Sequence, residues 1–233
     1  CADLTELNLG RQFKADNAVE FFRMFADCSS LTSLNLGYFN PVKATSMGSM
    51  FEGCSSLTKI DMGNFGNTEN LDRIDHMFQD CSSLKSLDLS GIYTGNVTNM
   101  YCTFYGCNSL ETIYVGSQWS TANVTNSALM FHNCTSLVGG QGTTFDPNHI
   151  NDAYAHIDGG PSNPGYLTEK PAGKPGDANG DGKVDVNDVT TVINYILGKN
   201  PSPFIFENAD VNGDGEVNVM DVTLIINIIL GIN

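Results

Sequence analysis

Basic residues are scarce in this sequence. Its 233 residues include 11 Lys and Arg against 26 Asp and Glu, which gives a formal net charge of −15 at pH 7. A protein that binds nucleic acid usually neutralises phosphate groups with a basic patch. The charge balance therefore argues against a nucleic-acid partner.

Long hydrophobic runs are absent as well. No apolar stretch approaches the roughly 18 residues that a membrane-spanning helix needs, so we expect no membrane span. The sequence carries no secretory leader, yet it opens in the middle of a repeat. We therefore expect it to be a piece of a longer secreted protein.

Histidine is rare and scattered. His76, His132, His149 and His156 lie at no metal-ligand spacing from one another or from a cysteine. The stretch Asp158-Gly159-Gly160 is followed by a proline, which lacks an amide donor, so it predicts a turn rather than a phosphate loop. We predict no catalytic residues and no enzyme activity.

Six of the seven cysteines belong to a repeat. They lie at positions 1, 28, 54, 81, 107 and 134, at separations of 27, 26, 27, 26 and 27 residues. Each is followed by the frame Leu-x-x-Leu-x-Leu or a close variant, as in Leu31, Leu34 and Leu36. This frame at this period indicates a leucine-rich repeat whose last four residues form a short strand. Apolar residues at −10, −7 and −3 from each cysteine predict a helical turn region. The predicted fold is a right-handed α/β leucine-rich-repeat solenoid.

The six cysteines in frame are predicted to be free. Equivalent side chains of stacked coils lie about 4.8 Å apart along a strand ladder. The Cβ atoms of a disulfide are closer, about 3.8 Å apart. Cys102 lies outside the frame and stays unassigned. Cys1 has two interpretations, the first rung of the ladder or a lipoprotein anchor.

The repeat decays after Cys134, where the frame positions become Gly140 and Gly142. We interpret Phe145 to Thr168 as a terminal cap, with a short strand over Ala153–Ile157. Residues 169–175 form a proline-rich, semi-rigid linker. The strand face of the solenoid carries short polar side chains, which fits either a solvated surface or a ligand surface.

The blocks Met-Phe-x-x-Cys-Ser-Ser-Leu, as at Met50-Phe51 and Met77-Phe78, resemble the BspA-like (DUF285) type of leucine-rich repeat. That type is found in bacterial surface proteins. The resemblance covers roughly residues 1–168. It implies a surface or secreted protein whose repeats bind an extracellular ligand or serve adhesion.

The last quarter of the chain contains one 12-residue loop written twice, 33 residues apart. Oxygen-bearing side chains at loop positions 1, 3, 5, 9 and 12, a backbone carbonyl at 7 and glycine at 6 suit calcium. The predicted ligands are Asp177, Asn179, Asp181, Lys183, Asp185 and Asp188 in loop one, and Asp210, Asn212, Asp214, Glu216, Asn218 and Asp221 in loop two. Lys183 and Glu216 would contribute their main-chain carbonyls. We therefore predict two calcium ions.

A helix follows each loop. Both helices carry an apolar stripe at i, i+3, i+4, i+7 and i+8, and each ends at a glycine. The stripes are Val189, Val192, Ile193, Ile196 and Leu197, then Val222, Ile225, Ile226, Ile229 and Leu230. The second helix has a further apolar face, Met220, Leu224 and Ile228. Two alternatives remain for what packs against that face, a surface of a partner protein or the internal segment Phe204–Phe206.

Residues 176–231 resemble a dockerin domain, because position 12 is Asp in both loops and Pro171 and Pro175 leave no helix before loop one. The resemblance implies a small all-α calcium-binding domain of two F-hands that docks onto a cohesin module, usually in a polysaccharide-degrading complex. Loop positions 10 and 11 are Val186-Asn187 and Val219-Met220 rather than the Ser-Thr pair of symmetric dockerins. We therefore expect no symmetric dual binding mode.

The sequence predicts two domains, residues 1–168 and 176–233, joined by the linker 169–175. The predicted function is a secreted or cell-surface, non-catalytic binding protein. Its repeats would bind a ligand, and its second domain would dock onto a protein partner. The alternative is an accessory subunit, or a fragment, of an extracellular polysaccharide-degrading complex.

Overall fold

Each Leu-x-x-Leu-x-Leu frame forms one short strand. The strands are β1 (Glu6–Asn8), β2 (Ser33–Asn35), β3 (Lys59–Asp61), β4 (Ser86–Asp88) and β5 (Thr112–Val115). A sixth strand, β6, is Leu167–Glu169, and the sheets are β1-β2-β3 and β4-β5-β6, all parallel. Leu34 pairs in register with Leu7 and Ile60. The predicted strands are confirmed, and they build a β-solenoid of about four turns.

The computed structural model describes residues 1–9, 13, 15–37, 39–62, 65, 68–171, 173–199, 201 and 203–232. The chain divides into two compact units, Cys1–Lys170 and Pro171–Asn233. The division falls inside the predicted linker 169–175, of which Ala172 lies outside the described residues. Glu169 ends β6 and the Lys170 ammonium lies 2.8 Å from Asp88, so both residues belong to the solenoid.

The segment before each cysteine is a run of turns, so the predicted helical region is wrong. The amide of Phe51 donates to the Met77 carbonyl of the next coil, while the amide of Cys54 donates back to the Phe51 carbonyl. Because alternate amides bond across coils, they are not available for the i to i−4 bonds of an α-helix. Among the described residues of this unit, the only helices are two 3-10 turns, Asp152–Tyr154 and Gly160–Ser162. The solenoid is therefore a β structure rather than α/β.

These turns require a left-handed backbone at the residue before each of the five repeat cysteines from Cys28 to Cys134. The residues there are Asp27, Gly53, Asp80, Gly106 and Asn133, with φ between +57° and +75°. Glycine, Asp and Asn are the residue types that tolerate this region best. At Gly53 a Cβ would also lie 2.7 Å from Asp27 Oδ1, and at Gly106 one would lie 2.2 Å from Asp80 Oδ1. A side chain on one coil therefore occupies the space above a glycine on the next.

Five phenylalanines form a continuous stack through the solenoid core. They are Phe25, Phe51, Phe78, Phe104 and Phe131, with successive ring centroids 5.7, 5.3, 5.9 and 5.4 Å apart. Tyr166 closes the stack edge-on at 5.2 Å from Phe131. Aromatic pairs at these separations add to the stability gained by burial alone. The stack therefore links every coil to the cap.

The cysteine ladder lies beside this stack. All seven cysteines are free, and Cys28, Cys54, Cys81, Cys107 and Cys134 are buried, which confirms the prediction for these five. Each thiol from Cys54 onward donates to the carbonyl of a phenylalanine of the preceding coil, 3.0 to 3.2 Å away. Burial raises the pKa of Cys54 and of Cys107 to about 12. Cys1 is exposed.

The ladder thiols are expected to resist alkylation in the folded protein. Burial keeps the reagent away from all five thiols. At Cys54 and Cys107, a pKa of about 12 also leaves roughly one part in 10⁵ of thiolate at pH 7, and the thiolate is the reactive form. Maleimide labelling followed by mass spectrometry should modify Cys1 in folded protein, and the five ladder residues only after guanidinium unfolding. Labelling of the folded ladder at the rate of Cys1 would contradict this prediction.

The cap replaces the strand that the decayed sixth frame does not form. β6 pairs with β5 in that place, with Leu167 opposite Ile113. Gly139 permits the approach, because a Cβ there would lie 2.1 Å from the Gly165 carbonyl oxygen. The strand predicted over Ala153–Ile157 is wrong, since those residues form a 3-10 turn and a single bridge from Ile157 to Leu167.

The carboxylate of Asp158 holds the cap together. It is 4% exposed and accepts bonds from the amides of Gln141, Thr143, Gly160 and Gly165 and from the Thr143 hydroxyl. Burial raises its pKa, but these hydrogen bonds outweigh burial and hold the pKa well below the usual range. The ionised carboxylate is therefore the form that the cap requires.

Asp158→Asn is expected to destabilise the solenoid by about 2–3 kcal/mol at pH 7, because an amide group would face backbone donors. A folded-state pKa below the unfolded value contributes stability that is present above about pH 4 and lost as the pH falls below it. Urea unfolding of the full chain between pH 3 and 7 should therefore show a steeper acid loss in the wild type than in the variant. The exposed substitution Glu111→Gln is the control, and equal pH slopes for all three proteins would refute the assignment.

The described part of the second unit contains three helices, α1 (Val186–Ile196), α2 (Phe206–Ala209) and α3 (Val219–Leu230). α1 packs on α3 around a core of Ala178, Val192, Ala209 and Ile225. Only part of each predicted stripe is covered, because Ile193, Leu197, Ile226, Ile229 and Leu230 are exposed. Among the described residues, no helix combines the length and the apolar character needed to cross a bilayer.

Candidate calcium loops and docking face

Loop one is held by hydrogen bonds from its backbone to its own carboxylates. Asp177 accepts from the amides of Asp181 at 3.0 Å and Gly182 at 2.9 Å. Asp188 accepts from the amides of Asn179 at 3.0 Å and Asp185 at 2.8 Å. The first and last acids of the loop thus fix its fold.

Loop two repeats this pattern. Asp210 accepts from the amides of Asp214 at 3.1 Å and Gly215 at 2.8 Å. Asp221 accepts from the amides of Val211 at 3.0 Å and Asn218 at 2.9 Å. The two copies in the sequence therefore fold into the same local structure.

Position 9 of each loop begins a helix. Asp185 caps α1 and Asn218 caps α3, and the acid at position 12 returns a bond to the cap residue in both cases. This reciprocal arrangement is a capping box. The predicted ligands at positions 9 and 12 are therefore also the residues that start the two helices.

Asp188 and Asp221 are fully buried. The ion pairs among the described residues include no carboxylate of either loop. Burying a carboxylate without a cationic partner is costly. A bound cation removes that cost, and the all-oxygen donor set suits a hard cation.

The predicted ligands sit on the two loops in the predicted order, but their side chains bond to backbone amides. Among the described residues, no three His, Cys, Asp or Glu side chains are gathered as a metal ion would hold them. Asp177 and Asp188 each use both oxygens on amides instead. The donor chemistry and the loop fold fit calcium.

Two residues that the sequence did not indicate contact loop one. The Lys174 ammonium donates to the Gly182 carbonyl at 2.7 Å. The buried Asn208 side-chain amide donates to the Asp177 carbonyl at 2.8 Å, and the main-chain carbonyl of Asn208 accepts from the Gly176 amide at 2.8 Å. Asn208 lies on α2, two residues before loop two, so it ties the start of one loop to the approach of the other. No spacing or motif marks either residue.

The predicted docking face on α3 is largely exposed. Met220 is 62% and Ile228 is 42% exposed, and Leu224 is partly buried. The segment Phe204–Phe206 packs elsewhere, because Phe204 stacks on Tyr195 of α1 at 4.1 Å and Phe206 meets the same ring edge-on. The internal cover proposed for this face is therefore wrong for Met220 and Ile228.

Two family models match the chain. The description of the first is Mycoplasma protein of unknown function, DUF285, and it matches residues 19–144. The second is the Dockerin type I domain, which matches residues 175–230. Dockerin type I domains bind calcium and dock onto proteins, and they occur in extracellular proteins. A search of curated proteins and a search of solved structures found no match. Because the repeat match spans more than half of its 233 residues, the chain belongs to the DUF285 family, and it carries a C-terminal dockerin type I domain.

Proposed function

We propose that this chain is an extracellular, non-catalytic binding protein with two separate tasks. Its dockerin unit takes up two calcium ions, one in each F-hand loop, and docks onto a cohesin-like protein through α3. Its repeat unit is a leucine-rich-repeat solenoid that binds an extracellular ligand. The twin loops carry the proposal, since each contains one fully buried carboxylate, Asp188 or Asp221, without an ion-pair partner among the described residues.

Each loop has its own set of candidate calcium ligands. Loop one offers the side chains of Asp177, Asn179, Asp181, Asp185 and Asp188 with the Lys183 carbonyl, and loop two offers those of Asp210, Asn212, Asp214, Asn218 and Asp221 with the Glu216 carbonyl. Calcium, when bound, supplies the positive charge that these acids lack. The residues at positions 9 and 12, Asp185 and Asp188 in loop one and Asn218 and Asp221 in loop two, start α1 and α3. Ion binding and helix formation therefore depend on the same side chains.

The exposed apolar residues of α3 support its role in docking. Val219, Met220 and Ile228 are between 42% and 69% exposed, on a helix whose only ionisable residue is Asp221. Apolar surface of this kind on a small unit typically marks a protein interface. The face contains no basic residue, which suits an uncharged partner surface.

Met220→Asp is expected to weaken capture of a purified cohesin module by about a hundredfold, the effect of losing a central apolar contact. The side chain is 62% exposed, so the unit should fold and bind calcium as before. Surface plasmon resonance reads capture, and calorimetry reads calcium binding in the same preparation. Leu224→Asp should also lose capture.

Val186→Asp is the matched control. Val186 is 68% exposed on the first turn of α1, and its substitution should leave capture unchanged. Full capture by Met220→Asp and Leu224→Asp would refute docking through α3. Unfolding of Leu224→Asp in the presence of calcium would instead assign Leu224 to the core.

A further inference from the structure

A cavity of about 350 Å³ lies beside the single tryptophan of the chain. Its walls come from two parts of the solenoid, the turn after β5 and the cap. The lining residues are Trp119, Ser120, Thr121, Ala155, His156 and Ile157, with Asn163. The volume falls within the roughly 300–1,000 Å³ of pockets that bind small molecules.

The cavity walls are held in place without a ligand. The indole N–H of Trp119 donates to the Ala155 carbonyl at 2.9 Å. The amide of Ser120 donates to the Thr94 hydroxyl at 2.6 Å, and the Leu167 amide donates to the His156 carbonyl at 3.2 Å. A wall that is already ordered loses little conformational entropy on binding. The cavity is therefore preformed.

The described walls of the cavity contain no permanently charged side chain. The chain has 26 acidic residues, yet none of the described residues that line the cavity is Asp, Glu, Lys or Arg. A charged ligand would lose its hydration without finding a counter-charge there. The cavity therefore favours an uncharged ligand.

The walls combine one large ring with several hydrogen-bonding side chains. Trp119 offers an aromatic surface, and Ile157, at 38% exposed, adds an apolar edge. Ser120, Thr121 and Asn163 offer hydroxyl and amide groups, which serve as both donors and acceptors. A ligand that matches this wall presents apolar C–H groups on one side and hydroxyl groups around its rim. A neutral sugar ring has that character, whereas an aromatic side chain of a peptide lacks the rim of hydroxyl groups.

We propose that this cavity binds a neutral sugar unit, with the ring beside Trp119 and its hydroxyl groups bonded to the polar side chains of the wall. The proposal rests on the ligand-binding role proposed for the repeat unit and names the class of ligand. The binding is a non-covalent association and requires no metal. It is independent of the dockerin unit.

Trp119 provides a direct test, because the fluorescence of the only tryptophan reports on the cavity. The calcium-loaded full chain is titrated with glucose, galactose, xylose and cellobiose, and emission is followed alongside calorimetry. We expect a saturable change with at least one of these sugars. Asn163→Ala should weaken that binding about tenfold, the effect of losing one hydrogen bond. Trp119→Phe, followed by calorimetry alone, should weaken it as well.

Asn108→Ala is the matched control, since Asn108 is an exposed asparagine of the same unit outside the cavity. It should bind the sugar as the wild type does, and circular dichroism checks the fold of every variant.

Absence of a saturable signal up to about 10 mM, where a ligand with a Kd of 1 mM fills roughly nine tenths of the sites, would overturn the proposal. Unchanged affinity of folded Asn163→Ala and Trp119→Phe would also overturn it. Saturable binding of N-acetyltyrosinamide in place of every sugar would assign the cavity to a peptide instead. Cohesin capture, measured on the same samples, tests the docking role separately.

Discussion

Removal of calcium is expected to unfold the dockerin unit and to leave the solenoid folded. Without the ion, the seven carboxylates predicted as ligands in the two loops repel one another, and among the described residues the core has four fully buried apolar residues to oppose them. Circular dichroism with chelator should therefore lose the signal of α1 and α3 and regain it with added calcium. Helicity that does not change with chelator, together with no heat of calcium binding, would refute the coupling.

Single substitutions separate the two loops. Asp188→Asn should weaken calcium binding at loop one by at least about a hundredfold, because it removes the buried charge at position 12. Lys183→Ala is the control, since position 7 contributes only a main-chain carbonyl, and its affinity should not change. In the wild type, loop one should bind more tightly than loop two, because four of its predicted side-chain ligands are carboxylates, against three in loop two. Calorimetry that finds the opposite order would contradict this ranking.

Truncation of the central phenylalanine is the second large effect. Phe78→Ala is expected to destabilise the solenoid by about 3–5 kcal/mol, the usual range for removing a buried aromatic ring. Phe78 lies between Phe51 and Phe104 in the stack, so its loss breaks contacts on both sides. Urea unfolding of the full chain measures the difference.

Phe22→Ala is the matched control for this change. Phe22 precedes the stack on the first described coil and is 58% exposed, so its truncation should cost less than about 1 kcal/mol. An equal loss of unfolding free energy in the two variants would mean that the phenylalanine stack adds nothing beyond ordinary surface packing. A loss of unfolding free energy confined to Phe78→Ala would show that the phenylalanine stack stabilises the solenoid.

The solenoid strands could be predicted because the leucine frame has a short and regular period. The run of turns before each cysteine could not be predicted. A helix and a run of tight turns both place residues −10, −7 and −3 toward the core, so the apolar spacing does not distinguish them. The distinction lies in amides such as that of Phe51, which bond to the next coil. A single repeat contains no sign of its neighbour's hydrogen bonds.

The cap was the least predictable part of the first unit. β6 lies 52 residues after the end of β5, and the intervening chain has no repeat to fix its register. The decay of the frame was interpreted from Gly140 and Gly142, and Gly139 was not singled out. Gly139 marks the place where the returning chain passes close, because a Cβ there would lie 2.1 Å from the Gly165 carbonyl oxygen.

The calcium loops were predictable because oxygen ligands at fixed spacing are a property of the local sequence. The role of Asn208 was not, because it depends on α2 folding against loop one. The apolar stripes show which helix faces are apolar but not how much of each is buried. A unit with two main helices covers only the residues at their contact, such as Val192 and Ile225. Outer residues such as Ile229 therefore stay exposed.

The left-handed residues before the cysteines alternate between large and small. Asp27 is followed by Gly53, Asp80 by Gly106, and the series continues with Asn133. One coil therefore does not fit directly on a copy of itself, because two aspartates would meet at one junction or two glycines would leave a gap. The smallest self-compatible block is a pair of coils, 53 residues long, the separation of Cys28 from Cys81 and of Cys54 from Cys107. A gene for such an array can lengthen or shorten in steps of two coils and preserve every junction, whereas a step of one coil creates a mismatch.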